Sequence, residues 1–187
     1  MPTHPQGHGH KRLVIGLTGR IGAGKTSAGK YLSSKYNFQY HRYSQVLSEW
    51  LAKDPDSKTS LQEVGWNVMS GGMQTELNKR LIDQIQPAPV DVAIDGLRHH
   101  TDYEFMRKSF GSSFHLIYIE SHRETRWNHL KNRGKYASFD VFERADSHAV
   151  EQEIEKLREC AALVIHNESS LEKFHIGLDK LLQEFQR

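Results

Sequence analysis

Cysteine is nearly missing from this 187-residue chain, where Cys160 stands alone. A lone thiol closes no internal disulfide, which excludes a disulfide-stapled scaffold and fits a reducing, cytoplasmic setting. Long apolar runs are missing too. No stretch approaches the ~20 residues a membrane helix needs, and the N-terminus carries no hydrophobic signal core. Charge of one sign is also lacking, with 25 Lys and Arg against 23 Asp and Glu. No global basic field therefore marks nucleic acid as the main partner. The length suits one α/β domain with a full core, over residues 13–187. Nothing in the sequence sets an oligomeric state.

Residues 1–12 differ from the rest, with Pro2, Pro5, Gly7 and Gly9 among His4, His8 and His10. A Pro/Gly-rich segment gives three histidines no fixed geometry for a metal, so a disordered tail is expected.

What the chain does carry begins at Leu13. An apolar strand, Leu13 to Leu17, runs into Gly19-Arg20-Ile21-Gly22-Ala23-Gly24-Lys25-Thr26. This is the G-x-x-x-x-G-K-[ST] spacing of a phosphate-binding loop, in the strand–loop–helix order that makes it more than a chance turn. Glycines let the backbone close on phosphates while its N–H groups point inward. Gly19, Gly22, Ala23, Gly24, Lys25, Thr26 and Ser27 are the expected nucleotide-binding residues. Lys25 is placed for the β- and γ-phosphates, and the Thr26 hydroxyl for Mg²⁺. The dinucleotide pattern G-x-G-x-x-G fails, because Gly22 and Gly24 run into Lys25-Thr26.

Periodicity then predicts a helix over 25–36 and a strand over 38–41. Three helical pieces follow across a 44–86 insertion, a candidate substrate-side wall. Ser44 is the expected N-cap of the first, and Ser60 to Glu63 reads as a capping box for the second. Further strands are expected at 90–94, 114–119 and 163–165. Between them lie helices at 101 onward (box Thr101/Glu104), 124–132 and 139–159, with a last helix from Ser169. Strands alternating with helices at this spacing predict a doubly wound parallel sheet.

Val92-Ala93-Ile94-Asp95 ends a buried strand in a carboxylate, at the edge where open α/β sheets bind ligands. Asp95 would hold Mg²⁺ or take a proton from an attacking hydroxyl; its plain alternative is an Asp-Gly turn. Motor-type ATPases often follow this aspartate with a water-activating glutamate, whereas here Gly96 follows. Arg98 could clamp an acceptor's phosphate or carboxylate, or lie idle at the surface. Residues 121–144 carry Arg123, Arg126, Lys131, Arg133, Lys135 and Arg144. Such a run is either a solvated face or a closing lid whose arginines stabilise a phosphoryl group in transfer. Arg126 and Arg133, seven residues apart, share a helical face and are the expected catalytic pair. His99-His100 has no third metal ligand in view, and Trp50, Trp66 and Trp127 read as packing residues. Cys160 reads as core-facing and inert.

Ile15-Gly16-Leu17-Thr18-Gly19 with Gly24-Lys25-Thr26, then Ile94-Asp95-Gly96-Leu97-Arg98, the arginine stretch, and Leu163-Val164-Ile165-His166-Asn167-Glu168-Ser169-Ser170-Leu171-Glu172 together form a familiar set. The chain, from about Leu13 to Leu182, resembles the dephospho-coenzyme A kinase-like branch of the nucleoside monophosphate kinases. The resemblance implies a three-layer P-loop fold on a five-stranded parallel sheet, with an arginine lid. It also implies transfer of the ATP γ-phosphate to a small nucleotide-like acceptor, a nucleoside monophosphate or something like dephospho-coenzyme A, and places Asn167 near the adenine. One departure is plain. Where that family has an aspartate after the second strand, this chain reads Tyr40-His41-Arg42-Tyr43-Ser44-Gln45. Asp95 could serve as base instead, and Arg42 could help hold an anionic acceptor. Two other classes stay open: a nucleotide-binding regulator without efficient turnover, and a polynucleotide end kinase using 121–144. Expected roles are therefore catalytic for Lys25, Asp95, Arg126 and Arg133, metal-binding for Thr26 and Asp95, and acceptor-binding for Arg42 and Arg98.

Overall fold

The computed structural model describes residues 12–52, 61–85, 87 and 89–185. The histidines of the N-terminal segment and the Ser60 cap lie outside these residues. Five parallel strands, β1 (Val14–Thr18), β2 (Gln39–Arg42), β3 (Val92–Asp95), β4 (Phe114–Glu120) and β5 (Leu163–His166), make one sheet in the order β2-β3-β1-β4-β5. The expected five-stranded, doubly wound architecture is what the chain adopts. β1 is central and buried along its whole length, which is why it reads as an unbroken apolar run.

Alternate residues of β1 face opposite layers. Ile15 and Leu17 pack against α1 (Lys25–Tyr36) and α9 (Leu171–Phe185) through Ala28, Leu32, Phe174 and Leu178. Val14 faces the other layer with Val92, Ile94 and Leu116. There it meets α2 (Tyr43–Ala52), α3 (Leu61–Ser70), α4 (Gln74–Asp83) and α5 (His100–Phe110) through Val46, Val68, Leu81 and Met106. Three further helices, α6 (Arg123–Lys131), α7 (Phe139–Asp146) and α8 (Ala149–Lys156), reach back over the loop after β1. Trp50, Trp66 and Trp127 pack on Arg80, on His148, and on Phe139 and Phe142.

Four local expectations are corrected. The α2 helix starts at Tyr43, directly after β2, so Ser44 is not its cap. Tyr43 is buried in the α2–α5 layer and bonds Asn78, and the helix starts two residues earlier than expected. The α5 cap is His99 with Asp102, not Thr101 with Glu104. Buried Asp102 accepts the N–H groups of Arg98 and His99 at 2.9 and 3.0 Å, so its carboxylate caps the turn before the helix. The 139–159 helix is two helices, because His148 caps a fresh start at α8 by accepting the Val150 N–H at 3.2 Å. Cys160 is half-buried in a 3₁₀ turn, Leu157–Cys160, not in a helix face. Among the described residues, no helix is long and apolar enough to cross a membrane.

Candidate active site

β1 delivers the chain to the loop, and α1 begins at Lys25 directly after it. Gly24 sits in the left-handed region at φ +112°, and a Cβ there would lie 2.5 Å from the Asn167 amide. Only glycine fits both demands. Asn167, buried at the end of β5, donates its amide to the Ala23 carbonyl at 2.9 Å. The structure thus brings Asn167 to the loop itself. The Lys25 amine donates to the carbonyls of Gly19 and Arg20, the latter at 3.0 Å. Burial pulls it down to about 8, against the opposing pull of Asp95 and then Glu151.

The Thr26 hydroxyl donates to Asp95 Oδ2 at 2.9 Å, and Tyr40 donates to the same oxygen at 2.7 Å. Asp95 is buried at the carboxyl end of β3, so strand and loop place a carboxylate and a hydroxyl together although 69 residues separate them. Tyr40 reaches across α1 because residue 29 is glycine; a Cβ there would collide with the Tyr40 ring. Burial and the adjacent Asp95 carboxylate raise the Tyr40 phenol well above its ordinary value, so it stays a donor. Tyr40 was not among the expected site residues, because an aromatic in a strand carries no sign of its partner.

Arg42 closes β2 and pairs in register with Asp95. Its Nε is buried without a hydrogen-bond partner among the described residues. Arg98 follows β3, held close to the loop by the Thr18 hydroxyl on the Leu97 carbonyl at 2.8 Å. Lys135 joins them: its amine is lowered first by burial, then by the positive charges of Arg98, Arg42 and Arg133. Arg133 also donates to Ser27 on α1 at 3.2 Å. Arg42, Arg98 and Arg133 thus gather around Lys135, and Arg98 and Lys135 also act on Lys25.

Arg126 does not join that field, and its expected lid role is corrected. It is 3% exposed, and both its terminal nitrogens bond Asp146, at 2.5 and 3.0 Å. Its remaining bonds go to the carbonyls of Ser121 and Ile21, at 3.1 and 3.0 Å. Asp146 also meets Arg20 at 3.3 Å and Arg123 at 3.6 Å. Arg126 is therefore committed to holding the loop against α6 and α7. Arg144 is exposed. A second contact of this kind comes from α8, where fully buried Glu151 accepts the Ile21 N–H at 2.8 Å.

Among the described residues there is no cluster of three or more His, Cys, Asp and Glu side chains that could hold a metal. A magnesium ion carried by phosphates asks for fewer protein ligands, and the Thr26 hydroxyl and Asp95 carboxylate are oxygen donors of the kind that would hold one.

Comparisons with known proteins agree with this architecture. The chain is 28% identical to the UPF0200 protein MJ1399 of Methanocaldococcus jannaschii, over 92% of this chain and 90% of that protein. A UPF0200 protein of Methanosarcina acetivorans is 23% identical over 92% and 95%. Its fold is shared with TT1252 from Thermus thermophilus, at TM-score 0.63 and 16% identity, covering 93% and 98% of the two chains. A shikimate kinase from Acinetobacter baumannii, solved with shikimate, aligns at TM-score 0.59 and 16% identity over 95% and 94%. A gluconokinase from Sinorhizobium meliloti aligns at 0.57 and 10% over 95% and 97%. These likenesses give the P-loop kinase fold. Residues 15–154 match the family described as an AAA domain, and the chain belongs to that family.

Proposed function

We propose that this protein is an ATP-dependent phosphotransferase that moves the γ-phosphate to a small, anionic, nucleotide-like acceptor. The observation that carries this reading is the pairing of two halves around Lys25. On one side Thr26 and Asp95 stand 2.9 Å apart beside the loop. On the other, Arg98 and Lys135 turn positive charge toward the same amine, and Arg42 and Arg133 stand with Lys135. A hydrolase needs only the first half, and an acceptor gives the second its purpose. The shared fold with a shikimate kinase and a gluconokinase supports a small-molecule acceptor over a macromolecular one.

Magnesium held by Thr26 and Asp95 would neutralise charge on the donor phosphates. Lys25 exchanges the Gly19 and Arg20 carbonyls for phosphate oxygens, at no cost in new conformational order. Arg133, on the lid and touching α1, stabilises charge on the phosphoryl group in transfer. Arg42 and Arg98 bind the acceptor's anionic group and align it. Asn167 keeps Ala23 and Gly24 in the shape that admits phosphate and stands at the adenine side. The protein then works in the cytoplasm on MgATP.

The test is ADP release with MgATP and a panel of ribonucleoside and deoxynucleoside monophosphates, dephospho-coenzyme A, shikimate and gluconate. One of them should raise ADP formation at least tenfold over the rate with water alone. Tight nucleotide binding with no acceleration by any acceptor would instead favour a regulator that turns over poorly.

A further inference from the structure

Glu151 belongs to no motif in the sequence, yet it is the second carboxylate at the loop. It lies in the first turn of α8, fully buried. Its Oε2 accepts the Ile21 N–H at 2.8 Å, and its Oε1 is buried with no hydrogen-bond partner among the described residues. A buried carboxylate oxygen without a hydrogen bond is costly, so one with no partner among the described residues marks a place for a donor group. The charged or titratable groups that face Glu151 are Lys25 from α1, with Lys135 and Tyr136 from the segment between α6 and α7. Two of these are the amines of the phosphate loop and of the acceptor field, so the carboxylate stands where those two regions meet.

Asp95 is differently placed. Its Oδ2 already accepts hydrogen bonds from the Thr26 and Tyr40 hydroxyls. Asp95 thus turns this oxygen toward Thr26, on the side where the metal would be held. Glu151 reaches the loop from α8 instead, through the Ile21 N–H.

From the unpaired Oε1 of Glu151 beside the Ile21 N–H, Lys25 and Lys135, we infer that Glu151 is the general base of phosphoryl transfer and that the acceptor group is a hydroxyl. This rests on the phosphotransferase reading and adds the acceptor's chemical class to it. The acceptor O–H proton passes to the Glu151 carboxylate as the acceptor oxygen bonds the γ-phosphorus. The bond from that phosphorus to the β,γ-bridging oxygen breaks, and its electron pair leaves with ADP. An acceptor that offers a phosphate, already ionised, needs no such base. Lys25 and Lys135 offset the repulsion between the carboxylate and the incoming phosphates.

Glu151→Gln keeps an oxygen for the Ile21 N–H while removing the base, so it separates chemistry from loop support. Wild type, Glu151→Gln and Glu151→Asp are compared for ADP formation with dephospho-coenzyme A, shikimate and gluconate as alcohols and AMP and CMP as phosphates. A fluorescent ATP analogue reports nucleotide binding in each variant. The expected result is turnover on an alcohol, with kcat about 10²–10⁴-fold lower in Glu151→Gln. Nucleotide affinity should stay within threefold, and the fall of wild-type kcat/KM at acid pH should vanish in the Gln variant. Partial recovery in Glu151→Asp would support a base whose reach matters. A Gln variant with kcat within threefold of wild type overturns the inference, as does turnover confined to AMP or CMP. Equal losses of nucleotide affinity and kcat also overturn it, by giving Glu151 a structural role alone. If wild type uses no acceptor, the kinase reading fails separately, and water decides the role of Glu151. Slower ADP release from MgATP in Glu151→Gln keeps it as a base, and an equal rate removes it.

Discussion

The donor half of the site and the lid half use the same kinds of residue to opposite ends. Around β1 and α1, the charged groups are poised: Lys25 rests on backbone carbonyls that any phosphate can replace, and Asp95 holds only two neutral hydroxyls. Along α6 and α7, and at Arg20 of the loop, charge is already paired. Arg126, Arg20 and Arg123 converge on Asp146, with the Arg126 bond bidentate and buried. An arginine beside a phosphate loop is thus not by that fact a catalytic one. What separates Arg126 from Arg133 is whether a carboxylate has claimed the guanidinium.

Breaking the paired half should produce the largest effect. Asp146→Asn strands the buried Arg126 charge, and breaking such a pair costs about 3–5 kcal/mol. Urea unfolding should show that loss, and a variant within 1 kcal/mol of wild type would mean the lid is not anchored through Asp146. On the poised half, Lys25→Met should not lower the unfolding midpoint at neutral pH, because it removes a buried charge, and should lower kcat by about 10²–10³-fold. The two arginines sharpen the contrast directly. Arg126→Ala should lower the melting temperature, and Arg133→Ala should lower kcat about tenfold or more with an unchanged melting temperature. The reverse pattern would return Arg126 to the lid role its spacing suggests.

A smaller effect concerns pH. Lys25 is held at about 8, against an ordinary 10.5, by burial above all. Between those values the unfolded chain binds the proton and the folded chain does not, so this group's contribution to stability rises with pH through that window. Nucleotide binding runs the other way, because phosphates charge the amine again. Calorimetry of MgATP binding in buffers of different ionisation heats should therefore show proton uptake just above pH 8, with affinity falling as pH rises further. Lys25→Met should abolish the uptake. The smallest change is Tyr40→Phe, which removes one donor to Asp95 at about 1 kcal/mol. A severalfold shift in the Mg²⁺ concentration for half-maximal activity would register it.

The sequence spoke clearly wherever structure is local. β1, the loop and α1 follow from an apolar run, three glycines and Lys-Thr, and α1 spans the residues that periodicity predicts. Asp95 was legible because a buried strand ending in a carboxylate is itself a local pattern. Arg126 was misread because its partner lies 20 residues on, in a helix that looked continuous with its neighbour. The break that seats Asp146 and Glu151 depends on His148 capping α8, and histidine is a weak cap signal. Glu151 was invisible for the same reason: its partner is the Ile21 N–H, 130 residues away. Likewise Thr101/Glu104 and His99/Asp102 offer the same spacing two residues apart, and only the buried environment of Asp102 chooses between them.

The central claim is that phosphate crosses from the Lys25 side to the Arg42–Arg98 side. The most direct measurement is the fate of label from [γ-³²P]ATP with the acceptor panel, in wild type and in Arg42→Ala with Arg98→Ala. Label should appear on one acceptor in wild type and shift to inorganic phosphate in the double variant. Label found only as inorganic phosphate in wild type, whatever the acceptor, would contradict the account.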